Sequence, residues 1–119
     1  MQNQTGWHVD QLTSPAGHLV SILRFEGDIG LTSKEDFHAC YQSLTKESSN
    51  LILLDFTKVS YINSSGITLV IQLLMEAYHH AQKIYAFGLS PHFTKIFTVA
   101  GITKYAGLFP NQAEAIAAL

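Results

Sequence analysis

Hydrophobic and polar positions repeat in two periods along this chain, and each switch between them marks an element. From Gly6 to Thr13, Trp7, Val9 and Gln11 alternate with His8, Asp10 and Leu12, which predicts a strand. Ser14-Pro15-Ala16-Gly17 follows as a turn, with Pro15 presetting φ. Alternation resumes from His18 to Glu26, with Leu19, Leu23 and Phe25 on one side and Val20 and Ile22 on the other. These two segments predict an antiparallel hairpin whose second strand is covered on both faces. Gly27 to Leu31 breaks the pattern, and Thr32-Ser33-Lys34-Glu35 has the spacing of a capping box. Phe37, Cys40, Tyr41 and Leu44 then fall at i, i+3, i+4 and i+7, one stripe of a helix.

Leu51-Ile52-Leu53-Leu54 is apolar without alternation and is preceded by Ser48-Ser49-Asn50, as expected of a central strand buried on both faces of a parallel sheet. Asp55 to Ile62 leads to Asn63-Ser64-Ser65-Gly66 and a helix that is apolar nearly all round, from Ile67 to Met75. Ile84 to Leu89 predicts another buried strand. Ser90-Pro91 places a capping hydroxyl before a proline at the first helical position. Phe93, Ile96, Phe97 and Ala100 repeat the helical stripe, with Gly101 as its stop. Tyr105 to Phe109 predicts a last strand, and Asn111 with Glu114 caps a final helix reaching Leu119. The order is that of an α/β fold: a mixed, mostly parallel sheet of five strands with an N-terminal antiparallel hairpin and four helices. In such a sheet, sites form beyond the carboxyl ends of the strands. The turns Gly27–Leu31, Tyr61–Gly66 and Gly88–Pro91 lie at that edge.

Composition narrows the function. The 119 residues are 47% hydrophobic and 13% charged, with a formal charge of -2. A single domain over residues 1–119 is expected, able to bury roughly two-thirds of its unfolded surface without disulfide or metal. The positive residues run dispersed from Arg24 to Lys104, which argues against nucleic acid. The polar start and the lack of an apolar run of ~20 residues predict neither a secretory signal nor membrane insertion. A cytoplasmic location follows as the expectation. Cys40, on the apolar stripe, reads as a small core hydrophobe.

Asn63-Ser64-Ser65-Gly66 is the most informative segment. It enters the most buried helix, where unpaired backbone N–H groups and the positive end of the dipole favour an anion. Asn63 or Ser64 there can serve as an ordinary cap. Ser64 can also be a phosphoacceptor, since a phosphate adding about -1.5 to -2 charges is tolerated at a helix start yet repels a partner face docked on it. Hydrolase chemistry lacks its parts: Ile62 stands where a nucleophile elbow needs glycine. His79 and His80 lie about four helical turns from Ser64, roughly 20 Å at 1.5 Å per residue. No phosphate-cradling glycine loop is complete. Adjacent His79 and His80 point about 100° apart on a helix, so no metal or other cofactor is expected. Asp28 either solvates its turn or faces Ser64 from a neighbouring strand.

Taken together, Leu51-Ile52-Leu53-Leu54-Asp55-Phe56, Tyr61-Ile62 and Asn63-Ser64-Ser65-Gly66-Ile67 resemble the strand and Asp-Ser-Ser-Gly-Leu motif of the STAS domains of bacterial anti-sigma factor antagonists. Gly88-Leu89-Ser90-Pro91, Ala100-Gly101-Ile102, Leu108-Phe109 and Glu114-Ala115 support the resemblance in register. It implies a non-enzymatic regulator that binds an anti-sigma factor serine kinase, is phosphorylated on Ser64 and is restored by a serine phosphatase. It also implies a docking surface formed by Asp28, Asn63, Ser64, Ser65, Gly66 and Ser90. The motif aspartate is Asn63 in this chain, and the second acid of a Gly-Glu-Leu-Asp turn is Gly30. A STAS subunit of a membrane transporter, bound to its ATPase without phosphorylation, is the alternative the resemblance leaves open.

Overall fold

Five strands form one sheet in the order β1-β2-β3-β4-β5, so each strand pairs with its neighbour in sequence. The structure, a computed structural model, describes residues 6–44 and 50–119; the Ser48-Ser49 boundary lies outside them. β1 (Gly6–Thr13) and β2 (Leu19–Ile29) form the antiparallel hairpin, with Thr13 opposite Leu19 and Gly6 opposite Glu26. β3 (Leu51–Ile62), β4 (Lys83–Phe87) and β5 (Ala106–Phe109) run parallel in series from β2. The helices are α1 (Lys34–Gln42), α2 (Ser64–His79), α3 (Pro91–Val99) and α4 (Gln112–Ala117).

The apolar run of β3 is explained by two cores, one on each side of the sheet. Ile52, Leu54 and Phe56 point with Leu23, Phe25, Ile84 and Ala86 toward α1, α2 and α3. Leu53 points with Val20, Ile22 and Phe87 toward α4, where Ala115 is fully buried. Phe25 stacks on Phe37 with centroids 4.6 Å apart, and Phe56 meets Phe97 edge to face at 5.6 Å. Cys40 is fully buried, as its place on the stripe requires.

Several boundaries differ from the sequence expectation. Pairing continues through Gly27 to Ile29 on β2 and through Asp55 to Ile62 on β3. Two register shifts, between Arg24 and Glu26 and between Gly27 and Asp28, let β3 run with extra residues against β2. Such insertions disrupt the period-two pattern and turn the strand. Gly27 takes φ 82° at the second of them, a conformation that favours glycine. At the first, the freed Thr57 N–H donates to Asp55 Oδ1 at 2.8 Å.

The capping box also changes form. Leu31–Ser33 make a 3-10 turn, so Ser33 is already helical (φ -85°, ψ -2°) when α1 begins and makes no side-chain cap. Its buried hydroxyl turns back and accepts from Gly30 N at 3.0 Å. Along the α3 stripe, Phe93 and Phe97 are buried but Ala100, its C-cap, is exposed. Another 3-10 turn, Ile102–Lys104, has Tyr105 as its C-cap, so the last strand starts at Ala106 rather than Tyr105, and α4 stops at Ala117 rather than Leu119.

Candidate functional site

The carboxyl ends of β2 and β3 meet the start of α2 at backbone contact. Ile29 pairs with Ile62, and the Asn63 N–H donates to the Ile29 carbonyl at 3.1 Å. Asn63 is extended (φ -85°, ψ -179°) and its Oδ1 accepts from Gly66 N at 2.9 Å. That is the N-cap geometry, satisfying one of the four orphan donors at the helix start. Ser64 is therefore the first residue of α2 and is exposed, while Ser65 is half-buried and Gly66 buried. Helix geometry leaves the Ser64 and Ser65 amides without an acceptor one turn back. They stand at the positive end of a 16-residue helix whose last turn carries His79.

Gly66 is buried because β2 passes directly over it. A Cβ there would collide with the Ile29 carbonyl and stand 2.8 Å from Ile62 Cγ2. This closeness locks the motif loop onto the end of the sheet.

The other expected site residues are placed as follows. Asp28 sits in β2 opposite Tyr61, so it belongs to the same sheet end, two residues before Gly30. Ser90 heads the neighbouring helix, where its hydroxyl accepts from Phe93 N at 3.2 Å and caps α3. Asn63, Ser64, Ser65 and Gly66 form one continuous turn; Asp28 lies in the strand pair that leads into it, and Ser90 caps α3, whose Phe93 reaches Tyr61 at the end of β3. His79 ends α2, and His80 at its C-cap contacts the Glu76 carbonyl at 2.8 Å and the Tyr41 hydroxyl at 3.2 Å. Neither histidine serves Ser64.

Sequence reasoning missed an aromatic flank. Tyr61, 55% exposed at the end of β3, meets Phe93 edge to face at 5.7 Å, and Phe93 in turn touches His92 at 5.0 Å. These rings extend the surface from the motif loop toward α3, and exposed tyrosine is characteristic of protein interfaces. The available signal was a tyrosine at the head of the turn, just before the motif, but its partner lies on a helix distant in sequence.

A second cluster lies midway along β2 and β3, where Arg24 pairs with Asp55. Arg24 Nη1 donates to Asp55 Oδ2 at 2.7 Å and to Gln112 Oε1 at 3.0 Å, and Arg24 Nε donates to Asp10 Oδ2 at 2.6 Å. One guanidinium thus ties β1, β3 and α4 to β2. The hydrogen bond from Arg24 holds the Asp10 carboxyl below the usual carboxylate range. Burial works to lower the Arg24 pKa, but hydrogen bonds to Asp10 and Asp55 outweigh it and the net shift is upward. Larger clefts, of about 560 and 410 Å3, lie at the opposite end of the sheet around Lys83 and Tyr85.

Comparison with known proteins bears on the fold and the family. Residues 12–115 match the STAS domain. An anti-sigma factor antagonist from Mycobacterium paratuberculosis superposes with TM-score 0.77 at 17% identity, covering 97% of this chain and 93% of that one. The Bacillus cell fate determinant SpoIIAA in its phosphorylated form gives 0.67 at 20% identity, covering 93% and 96%. A sulfate transporter family protein from Wolinella succinogenes gives 0.73 at 15% identity, covering 83% of each chain. At these identities the structures share the fold, and the domain match over most of the chain carries the assignment: this chain belongs to the STAS domain family.

Proposed function

We propose that this chain is a cytoplasmic partner-switching regulator: it binds an anti-sigma factor serine kinase through the Asn63–Gly66 loop, is released when Ser64 is phosphorylated, and is reset by a serine phosphatase. The observation that carries the reading is the exposed Ser64 hydroxyl at the first position of a capped 16-residue helix. A phosphate there meets the positive end of the dipole within this chain, so the modified protein keeps its fold. A partner face seated on the same loop meets about two negative charges instead and is driven off. Asp28, Ser65 and Ser90 complete the docking surface and the Tyr61–Phe93 flank adds apolar area to it, whereas Gly66, expected on that surface, is buried under β2 and supports the loop from within. The module acts by binding and performs no chemistry of its own.

Incubation with a purified anti-sigma factor serine kinase and ATP tests the reading. A gain of one phosphate mapped to the peptide containing Ser64 supports it. Absence of that phosphate under conditions that modify a control antagonist sinks the switch.

The fold shared with a sulfate transporter family protein supports a second reading, a STAS subunit of a transport complex acting without phosphorylation. Copurification separates the two: a transport ATPase bound stoichiometrically in place of a kinase favours the second.

A further inference from the structure

Gly17, Gly27, Gly88 and Gly101 have positive φ, whereas Gly30 and Gly66 do not. Backbone freedom therefore does not explain glycine at these two positions; space does. A Cβ on Gly30 would stand 2.7 Å from Nδ2, 3.2 Å from Cγ and 3.3 Å from Oδ1 of Asn63. The Asn63 side chain is thus held with its Oδ1 on Gly66 N and its amide nitrogen against the bare Cα of Gly30. Its own N–H is tied to Ile29, the residue before Gly30. Every fixed point of the cap is therefore on, or next to, Gly30 or Gly66.

We propose that Gly30 is a positioning residue for the Ser64 loop, matched sterically to Asn63. The missing side chain lets a planar amide, wider than a hydroxyl, fill the cap position while α2 stays pressed onto the end of β2. It also leaves an uncharged, exposed residue beside Ser64. A side chain at position 30 forces Asn63 to swing away, uncaps Gly66 and moves Ser64 with it. A shorter cap restores the fit, because serine at 63 retains an oxygen for Gly66 N and lacks the amide nitrogen that collides. The positioning role stands on geometry alone; its effect on partner choice rests on the docking function proposed above.

Amide hydrogen exchange by NMR on the full chain reads the cap directly, with Gly30→Ala, Asn63→Ser and the double variant compared with the parent. In Gly30→Ala the Gly66 amide should exchange about fivefold faster or more, the factor that loss of a side-chain cap produces. Amides of the α2 interior, such as Val70, should change less. In the double variant Gly66 should return to within about twofold of Asn63→Ser alone, the non-additivity expected of residues in contact. Unchanged Gly66 exchange in Gly30→Ala overturns the inference. So does a double variant in which the two effects simply add, or one in which Val70 accelerates as much as Gly66. Affinity for a purified anti-sigma factor serine kinase is measured on the same proteins. A parent chain that fails to bind the kinase removes the docking reading, while the exchange data decide the positioning role independently.

Discussion

Asn63 turns its Oδ1 onto the Gly66 amide and its N–H onto the Ile29 carbonyl, so one residue joins a strand end to a helix start. Replacing it with alanine leaves Gly66 N–H without its side-chain acceptor. Asn63→Ala should cost about 1 kcal/mol, seen as a lower urea midpoint at unchanged slope. Asn63→Asp should cost far less, because a carboxylate oxygen caps the same amide and its charge favours a helix N-terminus. If both variants lose equal stability, the cap contributes little. The neighbouring glycine is more demanding. In Gly66→Ala the methyl meets a backbone carbonyl, which cannot rotate away as a side chain does. A loss of about 1–3 kcal/mol is expected, the usual range for overpacking, read from the same denaturation curves. Ser64 itself is exposed and caps nothing, so Ser64→Glu should leave the urea midpoint nearly unchanged while weakening kinase binding. Unchanged affinity would count against the loop as the interface.

At the scale of elements, Arg24 decides how the hairpin, the central strand and the last helix are held together. Its side chain is 24% exposed, and that of Asp55 is 11% exposed. Arg24→Ala leaves the Asp55 carboxylate without its counter-charge and Gln112 without its donor. Breaking a fully buried pair costs about 3–5 kcal/mol, and partial exposure here reduces that to about 2. α4 should loosen first, with faster exchange at the Ala115 amide than in the β3 interior, since Gln112 is the first residue of that helix. Equal change across both elements would show that Arg24 supports the sheet rather than the helix. This cluster was invisible in the sequence, because Asp10, Arg24, Asp55 and Gln112 become neighbours only through the strand order. Element type was legible wherever a period ran undisturbed: the Phe37-Cys40-Tyr41 stripe and the Leu51–Leu54 run lie where the pattern placed them. It failed where β3 inserts residues at its register shifts, since each insertion reverses the alternation and reads as a break. The Ser64 loop was legible for the opposite reason, because capping chemistry is local. Tyr61 was missed because the ring that makes it part of a surface, Phe93, comes from another element.

For the molecule as a whole, the scarcity of charge has a structural cause: both faces of the sheet are committed to cores, with three helices on one side and α4 on the other. The formal charge of -2 is of the same size as the charge that one phosphate adds, so modification of Ser64 would nearly double it. The tightness of that packing can be tested through an acid that never meets water. Cys40 is fully buried, and burial, aided by the negative charge of Asp36, pushes its thiol up to about 12 from 9.0. The native protein should therefore ignore a thiol reagent at neutral pH and react at the rate of its unfolding. The same shift makes stability depend on pH, with a definite sign. Below pH 9 the thiol is protonated in both states and contributes no pH dependence. Above it the unfolded chain releases the proton while the folded chain retains it, so the unfolded state is favoured by about 1.4 kcal/mol per pH unit until the folded pKa is reached. Tyr41, raised by burial and then by the charge of Glu76, adds to the slope only once pH passes its own ordinary value of 10.0. Of these two groups, Cys40 is the one that contributes to the slope between pH 9 and 10. Urea denaturation of the parent and of Cys40→Ala over that interval isolates it. The variant should start less stable by a cavity cost, and the gap should narrow by about 1 kcal/mol as pH rises to 10. A constant gap would mean that water reaches the thiol, and that the core between α1 and the sheet is looser than its contacts imply.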